Sequence, residues 1–534
     1  MRKIISVVVI TFCSVIAGEF CSAQTQPPPA CQLYITKNDM PGFQSALARW
    51  LNDAPVRSGR ADALAELANN PAYRLALAQH EIIRASGATN LSAVCTDQSD
   101  QAFMQVFMGN AGWLETWLAS GPVPTNTAEG ILYLKDIYTA DRTENRTKYL
   151  PLATAVALVF STEPTKRLMD RLVYQVVNPI TPFSRYSFFK KADEEDKLYP
   201  LFKKLKPWEL RWVVSAWYDD KSLEWALENV NLPIWKYPDA CWLCQYSGCS
   251  FYGDTVQGAL FYMPWNNLHS RMENIYLHGG VCGSLSTFGA IAAMAHGIPA
   301  YTAGQPGHCA YAVRMERKKW VGGFGGPAGG PVYYFWSRNY YDILLMEDVF
   351  YDDTSYLASQ RHVWQANLYK DQDKAKAYAA YNLAIQKSPM NYSAWDSLIN
   401  TQLSDPAITK PQWTKAAETI MARMAKHPRP MLELFKKFEK DKILAGMNDP
   451  EKIRWFASIH KAIEDGKGDA TWDFDMDRIF GEQTKAFPKG SDSVWSLYKI
   501  ALGTHSTNEL FLGQLLEWGT KNLESEKGNN ADKV

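Results

Sequence analysis

The sequence Gly279-Gly280-Val281-Cys282-Gly283-Ser284 is followed, 26 residues after its cysteine, by Gly307-His308. Between the two motifs, the residues from Leu285 to Gly304 have the pattern of a helix, a turn and a strand. A cysteine at the start of a helix that faces a histidine on the next strand is an arrangement that produces a thiol nucleophile. This stretch therefore predicts a local fold and a candidate chemistry together.

A helix is predicted from Gly283 to His296, because its apolar residues recur every three or four positions. Gly297 suits the left-handed conformation that closes a helix, and Pro299 prevents the helix from continuing. At the other end Gly279 and Gly280 permit a tight turn. Cys282 is therefore expected at or just before the first helical turn, where unpaired backbone N–H groups favour a thiolate and can stabilise an oxyanion.

Two short strands are predicted after this helix, Pro299 to Gly304 and Cys309 to Arg314. Side chains alternate between the two faces of a strand, so only one of His308 and Cys309 can point at Cys282. A neutral imidazole in that place would take the thiol proton and later protonate the leaving amine. His278, four residues before Cys282, is the second candidate for the base.

These motifs resemble the transglutaminase-like cysteine superfamily. The resemblance covers Gly279 to Arg314: Gly-Val-Cys-Gly, a helix of small residues ending in His-Gly-Ile-Pro-Ala, and Gly-His-Cys-Ala-Tyr-Ala-Val. It implies an α+β, papain-like core with Cys282 as nucleophile and His308 as its base. A second oxyanion donor in such proteins comes from an upstream segment, where Gln257 and Trp265 are the candidates.

The third catalytic residue is where this chain departs from the family pattern. The family places an aspartate on the strand after the histidine strand, a few residues beyond a tryptophan. Here Trp320 is followed by a glycine-rich run without an acid. Asn339 and Asp342 are the first candidates to orient His308, and we predict Asp342; an aspartate that closes a turn is the alternative. Gly322 to Pro331 is interpreted as a long hairpin loop, with a mobile flap as the alternative.

The composition limits the classes of function. The chain has 534 residues, of which 46% are hydrophobic, enough for several domains with cores of their own. Its 56 basic and 56 acidic residues balance, which argues against a broad surface for nucleic acid or anionic membranes. Nineteen tryptophans are explained by core packing more simply than by stacking on sugars. No cofactor is predicted.

The beginning of the chain is typical of a secretory signal. Met1-Arg2-Lys3 precedes the apolar run from Ile4 to Ala17, and Cys21-Ser22-Ala23 offers small residues for cleavage before Gln24. A lipid anchor on Cys21 is the alternative. No later apolar run is long enough to span a membrane, and 150–160 is interpreted as a core helix. We therefore expect a soluble protein exported to the periplasm or secreted.

The cysteines agree with export. Seven remain after residue 23, an odd number, as expected for a secreted enzyme with one free catalytic thiol beside disulfides. The alternative is that Cys282 itself is half of a disulfide. Cys241, Cys244 and Cys249 also suggest a metal, but a fourth ligand is not apparent, and disulfides are favoured over zinc in an oxidising compartment.

Five segments are predicted: a signal peptide (1–23), a helical N-terminal region (24–200), a transglutaminase-like catalytic domain (201–357), a helical tetratricopeptide-like region (358–523) and a disordered tail (524–534). Within the catalytic domain the segment from Pro207 to Val230 is expected to be helical. The third region contains Ala377, Tyr381 and Ala384, with Trp395 and Leu398 beyond them, at the spacing of a tetratricopeptide repeat that crosses into its neighbour. Such helices can hold a protein partner.

The function predicted from these observations is acyl transfer from a peptide or side-chain amide through a thioester on Cys282. Water as acceptor would give a peptidase or amidase, and a lysine amine would give a cross-linking enzyme; hydrolysis is favoured for an exported protein. The alternative is a catalytically decayed core that serves as a protein-binding scaffold, suggested by the missing acid after Trp320. The substrate in either case is a protein or peptide.

Overall fold

The computed structural model describes residues 27–58, 63–124, 126–162, 180–250, 253, 255–258, 260–263, 265, 268–305, 308–324, 343–467 and 476–523. In these residues the protein is mostly helical, with one three-stranded antiparallel sheet. The first part of the chain consists of short helices, α1 (Cys31–Thr36), α2 (Met40–Ser58), α3 (Ala63–Leu67), α4 (Pro71–Ser86), α5 (Ala88–Ala93), α6 (Gln98–Met108), α7 (Ala111–Leu118), α8 (Thr127–Ala140), α9 (Leu150–Phe160) and α10 (Pro182–Glu194).

Helix α9 lies at the centre of this region. Nine of its eleven residues are buried, and it packs against α8 and α10. A helix that is apolar on all sides is stable only inside a core, so the interpretation of 150–160 as a core helix is confirmed. Among the described residues, no helix has the length and apolar character needed to cross a bilayer.

The segment from Pro207 to Val230 is helical as expected, but it forms two helices, α11 (Pro207–Val214) and α12 (Asp220–Asn229), with a break between them. The buried guanidinium of Arg185 donates hydrogen bonds to the carbonyls of Val214, Ala216 and Tyr218 in the break between them. Asp219 then caps α12 by accepting a hydrogen bond from the backbone of Ser222. A distant side chain and a local cap thus stop the helix, although the apolar pattern continues across the break.

The sheet follows α13 (Arg271–His278) and α14 (Cys282–Ala295), and contains β1 (Ala300–Gln305), β2 (His308–Glu316) and β3 (Lys319–Gly323) in the order β1-β2-β3. The predicted helix and both predicted strands are confirmed to within two residues at their ends; the largest difference is at β2, which runs on to Glu316. Helix α14 packs on β1 and β2. Its Gly289 lies against the buried ring of Tyr311 on β2, where an added Cβ would collide with the ring.

The last part of the chain is helical again, as predicted. Its helices are α15 (Ile343–Tyr351), α16 (Asp353–Tyr369), α17 (Lys374–Lys387), α18 (Tyr392–Leu403), α19 (Lys410–Met424), α20 (Pro428–Lys436), α21 (Asp449–Asp465), α22 (Met476–Thr484), α23 (Asp492–Thr504) and α24 (Glu509–Leu523). The apolar residues that suggested a repeat, Ala377, Tyr381, Ala384, Trp395 and Leu398, are all buried.

Ion pairs and packing cross the predicted domain boundaries. Glu115 on α7 is buried between Arg74 of α4 and Arg361 of α16, with nitrogen–oxygen distances of 2.5 and 2.7 Å. Helix α11 packs against α9, and the boundary after residue 357 falls within α16. The described residues therefore share one continuous core. The predicted signal (1–23) with Cys21, and the predicted tail (524–534), lie outside them.

Candidate active site at the start of helix α14

The turn before Cys282 requires glycine. Gly279 has a φ of 73° and a ψ of −157°, a backbone conformation that is essentially restricted to glycine, and an added Cβ would collide with the carbonyl of Gln245. The N–H of Gly280 donates to that same carbonyl at 3.1 Å, and the N–H of Ser247 donates to the carbonyl of Gly280 at 2.9 Å. The segment around Gln245 therefore fixes where the chain enters α14.

Two side chains from the upstream segment hold the same turn. The hydroxyl of Tyr262 donates to the carbonyl of Gly279 at 2.7 Å, and the side-chain oxygen of Gln257 accepts a hydrogen bond from the N–H of Val281 at 2.9 Å. Gln257 also contacts the hydroxyl of Tyr262. The side chain of Gln257 is therefore hydrogen-bonded to the residue directly before Cys282. Trp265 stacks on His278 with ring centroids 4.0 Å apart.

Cys282 is the first residue of α14, and Val281 before it provides no side-chain cap. The first backbone N–H groups of a helix have no partner within the helix, so an uncapped start leaves them available to an anion. Among the described residues, an added Cβ on Gly283 would meet no atom within 4 Å, so in this part of the structure the first turn borders open space. Cys282 itself is partly exposed, and its sulfur is a free thiol.

The side chain from β2 that reaches Cys282 is that of Cys309. Cys309 lies on the same face of β2 as Tyr311, which packs on Gly289 of α14, and its thiol interacts with that of Cys282. Burial, and then the neighbouring Cys282, raises the pKa of Cys309. The hydroxyl of Ser286, one turn along α14, donates to the backbone carbonyl of Cys309 at 2.8 Å. This bond fixes the start of β2 against the first turns of α14.

His308 makes a different contact. Its Nε2 lies 3.0 Å from the carbonyl oxygen of Phe324, at the end of β3, and the two rings are 5.1 Å apart. A carbonyl only accepts hydrogen bonds, so Nε2 carries the hydrogen and, in the neutral imidazole, Nδ1 keeps its lone pair. Among the described residues, no hydrogen bond joins His308 to Cys282. The pairing of these two residues stays a prediction.

An aromatic surface connects the histidine to the cysteine turn. The ring of Phe324 contacts Trp242 at 4.9 Å and Tyr246 at 6.5 Å. The backbone of Tyr246 is paired with Gly280, two residues before Cys282. We call Trp242, Tyr246 and Phe324 the aromatic rim. Trp242 and Tyr246 are 61% and 57% exposed, so they present ring surface beside both candidate residues.

Asp342 and Asn339, the residues predicted to orient His308, lie outside the described residues. The first described acid after Trp320 is Glu347 on α15. It accepts hydrogen bonds from Arg314 and from the indole of Trp320. Arg314 is six positions beyond His308 on β2, which is about 20 Å at the rise per residue of a strand. Glu347 therefore binds a side chain far from His308 and does not orient its imidazole. The carbonyl of Phe324 is instead the described group that orients the imidazole.

The other cysteines are thiols in the structure, and most of them are buried. Burial raises the pKa of Cys95 to about 12 and that of Cys241 to about 11, and it also raises the pKa of Cys31 and Cys244. Such sulfurs stay protonated and are poor nucleophiles at neutral pH. Cys249 is exposed. Within the described part of the chain, no group of three or more candidate ligands is arranged to hold a metal ion.

Comparison with known proteins gives no match to a family model, to a curated protein or to a solved structure. The function of the site is therefore argued from its residues.

Proposed function

We propose that the protein is an exported cysteine-dependent enzyme that transfers the acyl group of peptide or side-chain amides through a thioester on Cys282. The proposal includes the transglutaminase-like core implied by the motifs from Gly279 to Arg314. The observation that supports it most is the position of Cys282. This sulfur lies at an uncapped helix start that borders open space.

The imidazole of His308 would act as the base. With Nε2 bound to the carbonyl of Phe324, Nδ1 is the nitrogen that can accept a proton. In the reaction Nδ1 takes the proton of the Cys282 thiol as the sulfur attacks the amide carbon, and then gives it to the departing amine. Catalytic contacts in a free enzyme are often long and tighten only with substrate. Because Cys309 and not His308 is the β2 side chain that reaches Cys282 here, the proposal requires the start of β2 to turn His308 towards Cys282 when substrate binds.

The first turn of α14 would stabilise the tetrahedral intermediate. Its unpaired N–H groups lie beside the sulfur, where the negative charge on the substrate oxygen develops. Water that attacks the resulting thioester releases the acid and regenerates the thiol. Hydrolysis is favoured over cross-linking, as expected for an exported protein.

The aromatic rim suggests which amides are accepted. Exposed rings beside a nucleophile favour an apolar side chain next to the scissile amide, because its burial removes ring and side-chain surface from water. We expect Trp242→Ala to raise KM for a peptide with such a residue, with kcat changed little. Trp235, which is 67% exposed and is not part of the rim, is the matched control. Equal KM values for the Trp242 variant and wild type would exclude this substrate preference.

The test of the nucleophile uses a peptide chloromethyl ketone, which alkylates activated thiols. Cys282→Ala should abolish rapid labelling, whereas Cys249→Ser, which removes the exposed cysteine, should leave it intact. Equal rapid labelling of wild type and Cys282→Ala would exclude Cys282 as the nucleophile.

A second candidate function is a protein-binding scaffold built on a decayed core. It is favoured by the contact of Cys282 with Cys309 rather than with His308. A groove of about 590 Å³ between α17, α18 and α19 would receive the partner, with Trp395, Lys415 and Arg423 in its lining. Undiminished capture of a partner by His308→Ala, without wild-type turnover of any amide in a peptide library, would favour the scaffold over the enzyme.

A further inference from the structure

Cys309 has no role in the acyl transfer described above, yet its thiol is the group on β2 that contacts Cys282. The contact follows from the fold. Ser286 fixes the backbone of Cys309 against α14, and alternation along β2 directs the side chain of Cys309 to the face opposite to that of His308. Both cysteines are partly exposed residues, which gives a small oxidant access to this part of the fold.

We propose that Cys282 and Cys309 form a reversible disulfide, a modification site in which Cys309 protects the nucleophile against irreversible oxidation. The oxidant is of the hydroperoxide class. The bond itself does not depend on the proposed function, whereas its effect on acyl transfer rests on it.

The chemistry has two steps. The Cys282 thiolate attacks one oxygen of the hydroperoxide, the O–O bond breaks, and the sulfur becomes a sulfenic acid while hydroxide or alkoxide leaves. The sulfur of Cys309 then attacks the sulfur of Cys282. The S–O bond breaks, and the Cys309 proton leaves with the hydroxyl group as water. A dithiol reductant restores both thiols through a mixed disulfide.

The position of the pair explains why these two cysteines would react together. Cys282 lies at the uncapped start of α14, which borders open space, so it is the sulfur that the oxidant meets first, whereas burial raises the pKa of Cys309. Cys309 is then already in contact with the sulfenic acid. Cys241 and Cys244 are buried, which separates them from a solvent oxidant.

The experiment treats the mature protein with a small excess of hydrogen peroxide, blocks the remaining thiols and maps disulfides by mass spectrometry without reduction. No lysine or arginine lies between Met272 and Val313, so trypsin alone leaves both cysteines in one peptide. Chymotrypsin is therefore added, because Phe288 and Tyr301 separate them. The expected product is a pair of peptides joined through Cys282 and Cys309, which dithiothreitol separates.

Three variants complete the design. Cys249→Ser should form the same disulfide, whereas Cys309→Ser and Cys309→Ala should carry sulfinic acid on Cys282 after the same treatment. If neither Cys309 variant folds, bridging of the two wild-type thiols by a trivalent arsenical tests the same contact. Sulfinic acid on wild-type Cys282 beside an unmodified Cys309, or failure of the arsenical to bridge them, would overturn the proposal. A disulfide in a protein without amide turnover would contradict the proposed function alone.

Discussion

Gly279 determines the direction in which the chain enters the helix that carries Cys282. Its positive φ and the nearby Gln245 carbonyl exclude any side chain. We expect Gly279→Ala to lower the free energy of unfolding by about 1–3 kcal/mol, the cost of a strained backbone conformation, as measured by urea denaturation. Gly283→Ala is the matched control, because its Cβ meets open space in a helical turn. Equal stabilities of the two variants would show that the turn is not constrained as described.

After Cys282, His308 is the residue most important to the proposed chemistry, as its general base. We expect His308→Ala to slow alkylation of Cys282 by a peptide chloromethyl ketone about 100-fold or more, the range for loss of a general base. His269→Ala is the control, since that imidazole pairs with Glu273, at 3.1 Å. An unchanged rate in the His308 variant would contradict its role as base.

Some contacts of the site can be predicted from the sequence and others cannot. Alternation along β2 predicts that only one of His308 and Cys309 reaches Cys282, but the choice depends on how β2 lies on α14. That placement is set by tertiary contacts such as the bond from Ser286 to the Cys309 carbonyl. The group that orients His308 is a backbone carbonyl of Phe324, and backbone groups leave no signature in the sequence.

At the scale of elements, a buried charge cluster fixes the sheet to the helices around it. Arg314 of β2 pairs with Glu209 of α11 at 2.7 Å and with Glu347 of α15, which also accepts the indole N–H of Trp320 at 3.1 Å. All three charged side chains are about 95% buried or more. A charge buried to this extent is stable only when its partners remain.

We therefore expect Glu347→Gln to destabilise the protein by about 3–5 kcal/mol, because it leaves Arg314 undercompensated in the core. Glu316→Gln, which breaks the exposed pair with Lys319, should cost about 0–1 kcal/mol. Urea denaturation of both variants measures the difference. A small cost for both would mean that the cluster contributes little to holding the sheet.

Local sequence patterns predict the helices and strands around the site better than they predict how these elements are arranged. The glycine, the proline and the apolar spacing predict α14, β1 and β2 correctly. The segment from Pro207 to Val230 is helical as expected, but it is interrupted between α11 and α12, where Arg185, a residue remote in sequence, binds the backbone carbonyls. The cap of α12 by Asp219 is local, but the contact with Arg185 is long-range, and a local pattern does not contain it.

At the scale of the whole molecule, buried neutral histidines make stability depend on pH. Burial lowers the pKa of His460 to about 3, and it lowers the pKa of His80, His296, His362 and His505 as well. Below the unfolded value near 6.5, the unfolded chain takes up protons that the folded chain does not. The contribution of these neutral histidines to the free energy of unfolding is therefore fully present above that pH and is lost as the pH falls. For His460 the loss continues down to about pH 3.

Urea denaturation at pH 7, 6 and 5 should show the free energy of unfolding falling with pH, by up to about 1.4 kcal/mol per unit for each such histidine. His460→Gln keeps a polar group beside His505 and Gln483 and should reduce this slope by about the contribution of one histidine. A slope that is flat in wild type, or unchanged in the variant, would contradict neutral burial of these side chains.

The central claim is that Cys282 carries the acyl group, and direct detection of the thioester tests it. The protein is mixed with an activated acyl ester, quenched in acid, digested with chymotrypsin and analysed by mass spectrometry. We predict acylation of the peptide that contains Cys282, strongly reduced in His308→Ala and unaffected in Cys249→Ser. Acylation of Cys249 or Cys309 alone, or no acylated cysteine at all, would contradict the claim.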